Sequence, residues 1–195
     1  MNGLGHLSRA RSQGGFTLVD LLVGLVLTGM LALAIFGIYQ VSQNSYAAGT
    51  SRAEVQENGR IALERVAGEL RGAGYDPLFS GNFQGLTAMA AADVTFTTDL
   101  DGDGVLDPSE TVRYYVAGGA LRRSAGGVDE PLIDGAQTLT FTYLDSSNAP
   151  TATIASVRSI TIQLTVLPTT TQTIASFSTP ATFTTQVRLR NAPIP

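Results

Sequence analysis

The 195-residue sequence predicts an α+β protein with one long N-terminal helix, transmembrane in its first half and packed through its second half on an antiparallel β-sheet head. Three observations carry that prediction. Phe16 to Tyr39 is a run of 24 residues whose only charge is Asp20. The stretch that follows, to Tyr75, keeps an apolar stripe at helical spacing. Beyond it, 20 of the 23 threonines fall after residue 86, in short segments that alternate polar and apolar residues as half-buried strands do. The chain thus divides into a polar leader over 1–15, a helix over 16–74 and a head over 75–195.

Composition narrows the chemistry before any motif is considered. All 12 basic residues are arginine, the one histidine is His6, and there is no cysteine. Lysine Schiff bases, thiol nucleophiles, disulfides and Cys/His zinc sites are therefore excluded, and no histidine in the body of the chain can serve a serine nucleophile. A metal would have to be held by oxygen. The formal charge of -4 is mild and argues against a general nucleic-acid partner.

The apolar run comes first. At a 1.5 Å rise per residue it reaches about 36 Å, enough for a hydrocarbon core of about 30 Å. It is too long for the core of a secretory signal, and the Gly14-Gly15 pair precedes it rather than following it. Arg9 and Arg11 hold the leader on the cytoplasmic side, which puts the head outside the cytoplasm. Asp20 needs explanation, because a carboxylate in a membrane helix costs about 2.5–3.5 kcal/mol on insertion scales. It either stays hydrated near the helix end or meets a positive partner. Cleavage after Gly15 would supply one, the new amine of Phe16, in the same subunit or from a neighbour.

The residues Gly14-Gly-Phe-Thr-Leu-Val-Asp20, followed by an apolar helix, resemble the class III signal of type IV pilins and type II secretion pseudopilins. The resemblance implies cleavage between Gly15 and Phe16 by a prepilin peptidase, N-methylation of Phe16, and a role for Asp20 as the assembly carboxylate. The family usually carries Glu at that position, so the charge is kept with a reach one methylene shorter. Major pilins often bend this helix with a proline; here Gly24, Gly29 and Gly37 stand instead and could soften it or permit close packing.

The helix then continues as an amphipathic segment. Val55, Ala62, Val66 and Leu70 form the stripe, and Ile61 and Leu63 are expected to widen it. Gly72, Gly74 and Pro77 end it. Gln56 to Tyr75, QENGRIALERVAGELRGAGY, resembles the segment after the membrane helix in PilW-type minor pilins, and Thr185 to Asn191 resembles the closing strand of that group and of J-type pseudopilins. Together with the N-terminus the likeness covers about half of the chain. It implies a non-enzymatic subunit that initiates or primes type IV pilus assembly, with a J-type role in protein secretion or a role in DNA uptake as alternatives. The implied partners are other major and minor pilins or pseudopilins, the prepilin peptidase and the inner-membrane assembly platform.

The head reads as strands at 94–97, 112–116, 139–143, 160–166 and 183–189, forming one antiparallel sheet against the helix. Gly118-Gly119, Gly126-Gly127 and 146–150 read as turns, and 168–180 as an exposed Ser/Thr-rich loop.

Between the first two strands lies Asp99 to Glu110, DLDGDGVLDPSE. Asp99, Asp101, Asp103, Asp107 and Glu110 occupy positions 1, 3, 5, 9 and 12 of an EF-hand loop, with Gly104 at the sharp turn and the Val105 carbonyl at position 7. Alternating carboxylates can turn inward around a hard cation, and Glu110 can close the shell with both oxygens. Oxygen-only ligation on a flexible loop favours Ca²⁺ over Mg²⁺. The competing reading is a solvated acidic turn, since Asp-Gly pairs are frequent turn formers; register over all twelve positions favours the cation. The flanks are strands, so the expected ion is structural and ties a hairpin rather than opening a helix pair. Arg122-Arg123 and Arg158 are weak candidates for phosphate contact, and Asp129-Glu130 makes no hydrolase pair.

Overall fold

The computed structural model describes residues 15–168 and 179–191; the loop expected over 168–180 lies largely outside them. Its backbone is one α-helix followed by eight strands with two single-turn 3-10 helices between them, and by compactness the chain divides between Ala47 and Ala48 into two units.

Helix α1 spans Leu18–Arg71. Across Leu18 to Tyr39 every apolar side chain is exposed, and an 18-residue window of this helix is long and apolar enough to cross a membrane. The expected glycine softening does not show as a break: the helix runs through Gly24, Gly29 and Gly37, and an added Cβ at any of them would meet nothing.

In the second unit the helix buries Ser51, Val55, Gly59, Ala62, Leu63, Val66, Ala67 and Leu70, a stripe at three- and four-residue spacing. Ile61 departs from expectation. It is 57% exposed, because it lies on the flank of the stripe away from the sheets, whereas Leu63 is inside. Val66 and Leu70 have no exposed surface, and burial of each is worth about 1.5–3 kcal/mol. The Arg60–Glu64 pair, at 2.9 Å and well exposed, contributes far less. One ion pair reaches across: Arg123 Nε lies 2.9 and 3.2 Å from the two carboxylate oxygens of Glu69, both side chains under a third exposed.

The head holds two antiparallel sheets rather than the single one expected. Strands β1 (Leu86–Met89), β2 (Asp93–Thr97), β3 (Thr111–Ala117), β4 (Ala120–Ala125) and β5 (Val128–Asp134) form a five-stranded meander in that order. Strands β6 (Ala136–Leu144), β7 (Ser159–Val166) and β8 (Ala181–Arg188) form a separate three-stranded one. The division falls at Gly135, between β5 and β6. Gly118-Gly119 and Gly126-Gly127 take positive φ and close the β3–β4 and β4–β5 hairpins, as their sequence predicts.

Strands β1, β4 and β5 were not expected, and each lacks the pattern that would announce it. β1 has four residues. β4 carries adjacent arginines, and its pairing with β5 shifts register between Leu121 and Arg122. β5 is an edge strand with Pro131 in it, a residue tolerated at an edge. Alternation elsewhere places Val94, Phe96, Val112 and Tyr114 from the first sheet, and Phe141, Ile160, Ile162, Leu164 and Val187 from the second, in one core with the helix stripe.

Candidate functional site

The acidic loop is the long β2–β3 connection. Its base is closed by the Thr97–Thr111 pairing and by the Thr98 N–H, which donates to the Glu110 carbonyl at 3.1 Å. Within it, one oxygen each of Asp99, Asp101 and Asp103 lie within 4.8 Å of one another. Oxygens bound at about 2.3–2.6 Å from a calcium ion are separated by no more than about 5 Å, so these three fit one coordination shell. Asp99 is buried, and Asp101 and Asp103 are exposed.

The loop's own amides shape it. Asp99 accepts from the N–H groups of Gly102 and Gly104, at 2.5 and 3.1 Å. Asp101 accepts from Asp103 N–H, and Asp103 from Val105 N–H. Gly104 sits at φ +74 with Leu78 packed against it, so a residue with a Cβ would be strained there. Glu110 and Asp107 lie outside the three-carboxylate group. Glu110 is 1% exposed, and its two oxygens accept from the N–H of Leu100 at 2.7 Å and of Asp107 at 2.9 Å. Those bonds draw the two ends of the loop together. Val105, whose carbonyl was expected at position 7, is exposed.

Residues that sequence reasoning missed seat the loop on its surroundings. Asp99 N–H donates to the Tyr75 carbonyl at 2.9 Å, just past the helix end. The Asn82 side-chain amide donates to the Gly104 carbonyl at 2.8 Å. Asp76 in turn accepts from Ser80 and Gly81 N–H and so fixes the turn that carries Leu78 and Asn82. On the far side Gly126 N–H donates to the Pro108 carbonyl at 3.0 Å. An acid four residues before a Ser-Gly pair was the visible trace of this support.

At the other candidate site, Gly15 and Phe16 are exposed, with Phe16 at 93%. Asp20 is not idle there. Its carboxylate accepts from the Thr17 N–H at 3.0 Å and the Thr17 hydroxyl at 2.8 Å, while Asp20 N–H donates to Thr17 Oγ1 at 3.2 Å. This is a reciprocal capping box, with Thr17 before the first helical residue and Asp20 at the third. The Thr-x-x-Asp spacing carried that signal.

No family model matches the chain, and no curated protein matches it. Among solved structures, a type IV-like pilin from Thermus thermophilus aligns at 14% identity with a TM-score of 0.45, over 71% of this chain and 98% of that one.

The arginines considered for phosphate contact are otherwise engaged in two of three cases. Arg122 pairs with Asp129 at 2.8 Å, which also accounts for that acid, and Arg123 pairs with Glu69. Arg158 makes no ion pair among the described residues.

Proposed function

We propose that this chain is the precursor of a pilin-type filament subunit, specifically a PilW-like minor pilin that primes type IV pilus assembly and catalyses no reaction. The observation that carries this is the conjunction at Gly15-Phe16. A peptidase-type Gly-Gly-Phe junction, of which Gly15 and Phe16 are exposed, stands immediately before a capped helix whose whole apolar first half is uncovered. Such a surface has two chemical resting places, lipid and other helices of its kind. A subunit held by that helix in the inner membrane, with its head outside the cytoplasm, can pass from the first to the second as a filament takes it up. After cleavage, the methylated amine of Phe16 would lie within one helical turn of Asp20, and the carboxylate now held by Thr17 would be offered to a neighbour's amine.

The acidic loop supports a structural Ca²⁺ in this reading. Asp99, Asp101 and Asp103 would hold the ion from one side; Val105 and Asp107 are the nearest further donors in sequence, and Glu110 organises the loop ends. The ion would offset the crowding of like charges and stiffen the hairpin for packing into a filament.

Resemblance of Thr185 to Asn191 to J-type pseudopilins supports a second reading, a subunit that serves protein secretion. Deleting the gene separates the two: loss of surface pili with secretion intact supports the first, and the reverse supports the second. A chain that is not shortened at Gly15 by a prepilin peptidase refutes both.

A further inference from the structure

A cleft of about 500 Å³ opens at one end of the three-stranded sheet, remote in sequence from the acidic loop, and is lined by Asp145, Ser146, Asn148, Arg158, Ser159, Gln186 and Arg188. Its size falls within the range of about 300–1,000 Å³ typical of small-molecule sites. Every lining side chain is polar or charged. The strand register builds it: Leu144, Ser159 and Arg188 are successive cross-strand partners on β6, β7 and β8. Ser159 and Arg188 therefore share the outer face of this sheet, opposite the buried Ile160 and Val187.

The donors are arranged for an anion. Ser159 is only 7% exposed although it lies on the outer face, and its hydroxyl oxygen accepts from the Gln186 amide at 3.2 Å. Its own O–H is left to donate. Arg158 spends Nη1 on the carbonyls of Ala155 and Val157, at 2.8 and 2.9 Å, which fixes the guanidinium plane. Its Nε and Nη2, and the whole guanidinium of Arg188, have no acceptor among the described residues. Five other arginines, Arg60 and Arg65 on the helix and Arg113, Arg122 and Arg123 in the first sheet, have carboxylate partners; Arg52, Arg71 and Arg190 have none among the described residues. The one acid in the cleft, Asp145, has an oxygen occupied by Ser147 N–H, Ser147 hydroxyl and Ala149 N–H in its own turn. The cleft keeps a net positive charge.

We infer that this cleft is a binding site for an oxyanion, a phosphate or carboxylate group carried on a polar small molecule or sugar. Arg188 and Arg158 supply paired guanidinium donors, Ser159 a hydroxyl, and Asn148 and Gln186 amides for neighbouring hydroxyls.

The test is calorimetric titration of the full chain in detergent micelles with inorganic phosphate and, separately, with glucuronate. The expected result is saturable binding of at least one probe in the millimolar range or tighter. Arg188→Gln should weaken it about tenfold, the loss of a charge-assisted hydrogen bond, while Arg52→Gln, the same charge change on the helix, should not. Arg188 is exposed and has no partner among the described residues, so its variant is expected to fold even if Arg158→Gln does not. Binding of phosphate alone assigns the site to a phosphorylated ligand, and of glucuronate alone to an acidic sugar. Failure of both probes, or equal affinity in wild type and Arg188→Gln, overturns the inference.

Discussion

Gly59 on α1 lies directly against the ring of Phe183 on β8: a Cβ at residue 59 would stand 2.8 Å from both Cδ2 and Cζ of that ring. The helix approaches the three-stranded sheet this closely because residue 59 has no side chain. Two grooves flank the contact, one reaching from Arg52 to Arg60 and one from Arg60 to Arg71.

Gly59→Ala is therefore expected to destabilise the head by about 1–3 kcal/mol, the usual cost of overpacking, despite the higher helix propensity of alanine. Phe183→Leu should recover part of that loss. A double-mutant cycle on melting of the full chain measures the coupling. Additive effects within about 0.5 kcal/mol would show that the ring moves aside freely.

Calcium should raise the melting temperature of the full chain relative to chelator. At a hundredfold excess over the dissociation constant the gain is about 2.7 kcal/mol, or about 5–10 °C for a chain of this size. Asp101→Asn and Asp103→Asn, both exposed, should abolish the calcium response with little change in chelator. Asp99→Ala should lower stability in both conditions, because the Gly102 and Gly104 amides lose their acceptor. Identical melts of the wild type with and without calcium would sink the metal proposal.

At the helix start, charge and capping can be separated. Thr17→Ala removes the cap, with a cost of about 1 kcal/mol to the first turn. Asp20→Asn keeps an oxygen for Thr17 but removes the charge. Cleavage at Gly15 should proceed in both, whereas incorporation into filaments should fall about tenfold only for Asp20→Asn. Equal incorporation of Asp20→Asn and wild type would leave Asp20 with the capping role alone.

Tyr114 supplies a pH-dependent prediction. Burial, with the Glu69 carboxylate nearby, pushes its phenol well above the ordinary 10.0, while its hydroxyl has no hydrogen-bond partner. Glu69 and Arg123 both lie beside it, Glu69 holding the proton on and Arg123 opposing it. The folded protein thus keeps a proton that the unfolded chain releases. The stability this provides is complete below pH 10.0 and is lost as pH rises further toward the folded value. Tyr114→Phe should flatten the alkaline limb of a stability–pH curve and, by removing an unsatisfied buried hydroxyl, raise stability at neutral pH by up to about 1 kcal/mol. A loss of more than about 1 kcal/mol at neutral pH would reveal a bond to that hydroxyl.

Residues that act through local patterns were legible. The apolar run to Tyr39, the helix stripe through Val55, Ala62, Val66 and Leu70, the double-glycine turns and the twelve-residue acidic loop all follow from spacing along the chain. Spacing alone defines a helix face, a hairpin or a ring of carboxylates. Even the Thr17–Asp20 cap was written as Thr-x-x-Asp.

What only the tertiary structure decided depends on pairing between distant residues. Strands β4 and β5 persist because their hairpins satisfy backbone hydrogen bonds, with no alternating pattern to mark them. The contact of Gly59 with Phe183 and the seating of Gly104 by Asn82 and Leu78 join residues 22 or more apart, and the division into two sheets at Gly135 is likewise set by long-range pairing. So does the meeting of Arg158 and Arg188, which in sequence are only scattered arginines. Sequence by itself determined the helix, its cap and the place of the acidic loop, because local geometry needs only neighbouring residues. The tertiary structure decided which side chains are left without partners, because satisfaction of a charge or a packing surface depends on what the fold brings alongside it.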